Sequence, residues 1–421
     1  MKESSLMTVI PADPHDIAPE KLLERIRQSR EIIVSSSEYD VNADNSPLKI
    51  PIRIESREYV VMLAYSGIEI PQFYRMAHFF TDLDFQKIEK IETGLDVEII
   101  YTDSFLASYH DQLKIINCLV PDALAVIDHP SEKLLSGKWI KLAAESSVPP
   151  APRYLFTVQA VSGSSDEVWL HSHGLKRCGL PDLEILCSNR EMCQSHYSII
   201  ETFAIRMIEN EERPEKYEPV FLAWMTDKIP MVATLTDWTD ALEYYPEAEL
   251  GKSEDRDDYH AEGTEAIMLY LTPDDVKEHN LSKVQELDDY LGHNTMFMIS
   301  STETARMRSL AQERIGFVMD AEALKDPDIH IMMKIGLHMD KEFRDPDDDP
   351  DTQREHIWFD LKSISRGKYK DLFICELTQD PYYVKGIKKG DIGNYQIEDI
   401  TDWMIIKNDK RYTPDDAYLI G

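Results

Sequence analysis

The feature that most constrains this chain is a switch of hydrophobic period near residue 329. Ile329, Ile331, Met333, Ile335 and Leu337 fall on one side of an extended segment, and His330, Met332, Lys334, Gly336 and His338 on the other. A period of two belongs to a strand with one face buried, because successive Cβ atoms leave opposite sides of the pleat. Ile357, Phe359 and Leu361 repeat the pattern, as do Phe373, Cys375 and Leu377. Just upstream, Met307, Leu310, Ala311, Phe317 and Val318 recur at helical spacing behind Ser300-Ser301-Thr302-Glu303, which fits a capping box. Residues 300–421 are therefore expected to form an antiparallel sheet, open to partial closure as a barrel, with one helix packed on it.

The chain has 421 residues, too many for one ordinary core. The expected class is α+β throughout, with a domain at 1–148, a second domain or subdomain at 149–299, and the β-rich region at 300–421. Strands are predicted at Leu6–Ile10, Glu31–Ser35, Leu48–Ile54, Tyr59–Tyr65, Val97–Tyr101 and Ala123–Ile127, where β-branched and aromatic residues concentrate. Helices are predicted from Pro19, over Phe73–Phe80, and over Ser104–Cys118. Ser146-Ser147-Val148-Pro149-Pro150-Ala151-Pro152 reads as a connection, since consecutive prolines fit neither a helix nor a central strand. Beyond it, Tyr154–Val161 and Glu167–His171 read as a strand pair, Glu191–Ile208 as a helix, and Glu218–Met225 and Met231–Leu235 as strands. Pro246 to Gly263 holds Glu254, Asp255, Asp257 and Asp258 close together and reads as an exposed, solvated loop.

Charge narrows the function classes. The formal net charge is −33, which repels phosphate backbones, and no Lys/Arg cluster with interleaved aromatics offsets it. Lys385, Lys388 and Lys389 form only a short local group. Nucleic-acid and membrane partners are therefore not expected, whereas a basic protein partner is compatible with the surface. No run of about 18 uncharged apolar residues exists, and the first residues lack an apolar signal-peptide stretch. Five scattered cysteines do not form a disulfide framework, so cytoplasm is the expected location.

Several motifs of the last region occur in order: Met333-Lys334-Ile335, Glu355-His356-Ile357-Trp358, Asp380-Pro381, Gly390-Asp391, Asp402-Trp403 and Tyr412-Thr413. With these motifs, residues 300–421 resemble the YegJ-like domain, a small bacterial domain of unknown function. One departure is Asp380, where that family usually carries Asn before the proline. Trp169-Leu170-His171-Ser172-His173-Gly174-Leu175 and Pro181-Asp182-Leu183-Glu184-Ile185 resemble another uncharacterised bacterial region found upstream of such domains. The resemblance implies a bacterial cytosolic protein and no catalytic activity.

Two constellations are candidates for chemistry. On a strand, His171 and His173 point the same way, as two ligands of one cation must, with Cys178 or Glu184 available to complete a site. The competing reading has these histidines bonding to backbone carbonyls at a turn. The second constellation is His356, Trp358, Asp402 and Trp403, a possible binding face in which the carboxylate could orient the imidazole. Here the competing reading is that both indoles fill the sheet's second face and Asp402 caps a turn.

No phosphate-cradling glycine loop, H-E-x-x-H or G-x-S-x-G is present. The acidic turn Asp345 to Asp351 lacks the glycine and closing glutamate of a calcium loop. No cofactor is expected. The sequence thus reads as an acidic, non-enzymatic interaction protein, of which an immunity-type role is one form. The rival reading is a metal-dependent hydrolase centred on His171 and His173.

Overall fold

The computed structural model describes residues 2–35, 48–76, 80–226, 229–291, 296–297, 301–347, 353–368 and 370–420. It resolves into two compact units. Unit 1 comprises 1–144 with 150–298, and unit 2 comprises 145–149 with 299–421. Among the described residues the class is mixed α+β with three sheets, none closed into a barrel.

Unit 1 opens with β1 (Ser5–Pro11), α1 (Pro19–Gln28), β2 (Ile32–Val34), β3 (Leu48–Ile54), β4 (Arg57–Gly67), β5 (Thr93–Ile99), α2 (Phe105–Leu119), β6 (Ala123–Asp128), β7 (Lys133–Ser136) and α3 (Gly137–Ala144). Pro19 starts α1, where its missing N–H costs nothing and its φ is preset. The strands form one antiparallel sheet in the order β2-β3-β4-β5-β1-β6-β7. Ile10, Tyr74, Ile88, Ala125, Ile127 and Leu134 pack together as one of its apolar clusters. Of the helix predicted at Phe73–Phe80, Gln72–Met76 is helical, and residues 77–79 lie outside the described ones.

The chain then builds β8 (Thr157–Ser162), β9 (Glu167–His173), β10 (Asp182–Asn189), α4 (Cys193–Asn210), β11 (Val220–Thr226), β12 (Ile229–Asp237), β13 (Thr264–Tyr270) and β14 (Met296–Phe297). Their order is β14-β11-β12-β13-β10-β9-β8, antiparallel except for the β10–β13 pair. The strand predicted from Tyr154 starts at Thr157 because Pro152–Tyr154 forms a 3-10 turn, where proline's fixed φ suits the first position.

The two sheets of unit 1 meet at Arg177, in the turn after β9, and Asp128, the last residue of β6. Arg177 Nη1 donates to Asp128 Oδ1 at 2.8 Å and Nη2 to Oδ2 at 3.0 Å, with both side chains fully buried. Nη1 also donates to Ser5 Oγ at 3.2 Å, Nη2 to the Leu155 carbonyl, and Ser131 Oγ to Asp128 Oδ2 at 2.5 Å. The guanidinium lies 5.2 Å from the centroid of the Tyr109 ring.

Unit 2 contains α5 (Ser301–Glu313), α6 (Ile315–Ala323), β15 (Ile329–His338), β16 (Arg354–Ser365), β17 (Leu372–Leu377), β18 (Ile392–Tyr395), β19 (Ile400–Lys407) and β20 (Lys410–Tyr412). The sheet order is β18-β17-β16-β15-β19-β20, every pair antiparallel. Ile331, Met333, Ile335, Ile357, Phe359, Phe373, Cys375 and Leu377 are all buried, as the period of two requires. The expected single helix is two, broken at Arg314, whose buried guanidinium donates to the Pro414 carbonyl at 2.7 Å. Ser300 of the expected capping box, and residues 348–351 of the acidic turn, lie outside the described residues.

Removing one partner of a buried, hydrogen-bonded ion pair strands the other charge. Arg177→Ala is expected to lower the unfolding free energy of unit 1 by roughly 3–5 kcal/mol in a urea titration. A loss below about 1 kcal/mol would mean that the pair does not hold the sheets together.

Candidate metal centre

His171 and His173 sit two residues apart on β9 and face the same way, together with Trp169. Across the sheet His171 lies opposite Gln159 on β8 and Glu184 on β10, and His173 lies opposite Thr157 on β8. Both imidazoles are buried, at 2% and 1% exposure, and neither Nδ1 has a hydrogen-bond partner. An unpaired polar atom inside a protein costs about 1–3 kcal/mol, so two side by side call for a cause.

The third histidine comes from the segment expected to be a solvated loop. Glu254, Asp255, Asp257 and Asp258 are indeed exposed. Between and beyond them, however, Arg256 and His260 turn inward. Arg256 Nη2 donates to Glu184 Oε1 at 2.8 Å and to the Gly251 carbonyl at 2.7 Å, with the ion pair fully buried. Glu184 Oε2 accepts from the Trp169 indole at 3.0 Å, and the guanidinium stacks 4.0 Å from the Trp238 ring centroid. Gly251 has φ +78, and a Cβ there would come within 2.6 Å of Leu186. Only glycine makes this turn without strain and without displacing its neighbour.

So anchored, the helical turn Asp258–Ala261 presents His260. The His260 Nε2 lies 3.4 Å from His173 Nε2, and its Nδ1 lies 2.5 Å from Asp257 Oδ1. Asp257 also accepts the His260 amide at 3.0 Å, which fixes the imidazole from behind. One nitrogen of each of His171, His173 and His260 lies within 4.8 Å of the others. Tyr259 stacks on His173 at 5.3 Å and donates to Asp182 Oδ2 at 2.7 Å.

Glu132 reaches the same place from the other sheet, on the β6–β7 turn. Its Oε2 lies 3.6 Å from His173 Nε2 and accepts from Gln159 Nε2 at 2.5 Å. Burial pushes the His173 imidazole down to about 3, with the nearby His260 and Lys176 acting in the same direction. Burial likewise holds His171 well below the ordinary histidine range. Both rings are therefore neutral near pH 7, the form that offers a lone pair to a cation.

Strand spacing alone pairs His171 with His173. Neither Cys178 nor Glu184, the two candidates to complete the set, joins it. Cys178 is buried in the turn after β9 and is not among the ligand atoms that gather here, and Glu184 is committed to Arg256 and Trp169. His260 and Glu132 were missed because they are 87 and 41 residues from His173 in the chain. The signal that could have flagged His260 was one Arg and one His embedded in an acidic run.

A Ser-His-Asp array was also invisible in the sequence. Ser188 Oγ lies 2.8 Å from His196 Nδ1, and His196 Nε2 lies 2.9 Å from Asp288 Oδ1. Ser188 is 1% exposed and His196 is fully buried, so the array ties β10 to α4 and offers no accessible nucleophile.

In unit 2 the four candidate residues split between faces. Trp403 is fully buried, and its indole donates to the Ala311 carbonyl at 3.1 Å, satisfying an orphan acceptor in the last turn of α5. Trp358 and Asp402 lie on the other face, flanking Lys334 on the central strand β15, with Lys334 Nζ 5.7 Å from the Trp358 ring centroid. His356 bonds through Nδ1 to Thr401 Oγ1 at 3.1 Å. The two indoles thus do not share a surface, because a one-residue offset along a strand reverses the side chain.

Residues 5–150 match the family model described as protein of unknown function (DUF4026) N-terminal. Residues 158–268 match its companion, protein of unknown function (DUF4026) C-terminal, and with both domains present the chain belongs to that uncharacterised family. No curated protein and no solved structure matches the chain. All three histidines fall inside the C-terminal match, and Glu132 falls inside the N-terminal one.

Asp402 gives a measurable pH signature. Burial raises its carboxyl to about 6 from the ordinary 3.8, against the opposing Trp403 amide and Lys334. The folded protein therefore holds this proton to higher pH than the unfolded chain does. The contribution of Asp402 to stability is greatest below pH 3.8 and declines as pH rises to about 6. Asp402→Asn keeps the acceptor for the Trp403 amide, so its stability relative to wild type should grow between those limits by roughly 2–3 kcal/mol. A difference that stays flat across that range in denaturant titrations would contradict the assignment.

Proposed function

We propose that unit 1 binds a divalent transition-metal ion, with His171, His173 and His260 supplying imidazole nitrogens. One observation carries this reading: three histidine nitrogens lie within 4.8 Å of one another on buried or partly buried rings, with His260 Nε2 3.4 Å from His173 Nε2. Imidazole donors suit zinc, copper, iron and nickel, and neutral buried rings suit any of them. Asp257 behind His260 is the carboxylate support that metal-ligating histidines characteristically have. Three imidazoles leave a fourth position for a protein carboxylate or a water, and only a zinc-bound water there, its pKa lowered to about 7, would give hydrolytic chemistry.

Metal-free protein incubated with zinc and then desalted should retain about one equivalent by elemental analysis. The His171→Ala, His173→Ala double variant should retain none. Wild type that emerges without metal, or a double variant that holds as much as wild type, would overturn the reading.

The net charge of −33 and the exposed acids Glu254, Asp255, Asp257 and Asp258 support a wider reading. In it the chain is a bacterial cytosolic protein that binds a basic protein partner, of which an immunity-type role is one form. Its five cysteines are unpaired, as suits a reducing compartment, and no helix among the described residues is long and apolar enough to cross a membrane. The likeness of residues 300–421 to the YegJ-like domain belongs to this reading and adds no activity. A complex built on such charge should weaken at least about tenfold between about 0.05 and about 0.3 M salt. Affinity that does not vary with salt would contradict it.

A further inference from the structure

Resting on the metal reading, we propose that Glu132 is the fourth ligand, so that the bound ion clasps the first sheet of unit 1 to the second. Two of the spacings approach those of a coordination shell. Donors held about 2.0–2.1 Å from a tetrahedral ion lie about 3.3 Å from one another. His173 Nε2 has His260 Nε2 at 3.4 Å on one side and Glu132 Oε2 at 3.6 Å on the other. These two separations need shifts of a few tenths of an ångström, whereas the three histidine nitrogens together span up to 4.8 Å, so His171 must draw in further as the ion binds.

The carboxylate is also held in place. Gln159 Nε2 donates to the same Oε2, and the side chain is 25% exposed, so it is confined between protein and solvent. Its backbone is costly. Glu132 has φ +53, a left-handed conformation in which a non-glycine residue costs about 1–2 kcal/mol. Glycine would relieve that strain at the turn but would leave His173 without a carboxylate. A strained residue whose side chain reaches a cluster of ligand atoms is the pattern of a functional position.

The chemistry follows from the donor set. Three neutral imidazoles and one carboxylate present one negative charge to a divalent cation, a shell of the kind zinc accepts. Since β6 and β7 carry Glu132 while β9 carries two of the histidines, the ion would be shared by both family-matched regions.

The test compares wild type with Glu132→Gln, which keeps side-chain length and an oxygen for Gln159 but removes the charge. The probe is zinc alone, with affinity from a competing chelator and amide hydrogen exchange with and without zinc. The metal-free exchange patterns of the two proteins supply the folding reference. Glu132→Gln should bind zinc at least about tenfold more weakly. In wild type, zinc should slow exchange both at 129–133 and at 257–261, and in the variant only at 257–261. Equal affinities with equal protection of 129–133 would overturn the role of Glu132 and leave the three-histidine site standing. A wild type that takes up no zinc would overturn both.

Discussion

The structure of unit 1 depends on one buried ion pair, Arg177 with Asp128. Desolvating two charges is expensive, and such a pair holds only when geometry is good and the remaining donors and acceptors are engaged. Here the contact is bidentate, and Ser5, Leu155 and Ser131 take up further hydrogen-bonding capacity. Only Arg177 Nε is left without a partner. The consequence lies four residues away on each side. Glu132 follows Asp128 by four positions and His173 precedes Arg177 by four, so fixing the pair fixes the approach of carboxylate to imidazole.

A second buried pair, Arg256 with Glu184, does the same for the acidic segment. Without it, a run so rich in aspartate and glutamate would stay in solvent, as its composition suggests. With it, the segment folds back over Trp169 and Trp238, and His260 is carried to His173. Two charge pairs that contribute modestly to net stability thereby decide where three histidines and a glutamate converge. Their energetic worth is mostly the cost of breaking them.

How much of this was legible in the sequence depends on range. Strands such as Leu48–Ile54, and the alternating core of β15 to β17, were read directly, because a period of two is written in neighbouring residues. The split of one expected helix at Arg314 was not, since it answers to a carbonyl at Pro414, a hundred residues on. Nor was the separation of Trp358 from Trp403, which depends on how β16 and β19 register on β15. In the site, His171 and His173 were visible because strand geometry alone puts residues two apart on one face. His260 and Glu132 arrive by tertiary contacts that no local pattern encodes.

X-ray absorption at the zinc edge of the zinc-loaded protein measures the shell directly. Three imidazole nitrogens, recognised by ring scattering, and one oxygen, all at about 2.0–2.1 Å, are the predicted result. A sulfur neighbour at about 2.3 Å, or a shell of oxygens without imidazole, would contradict it.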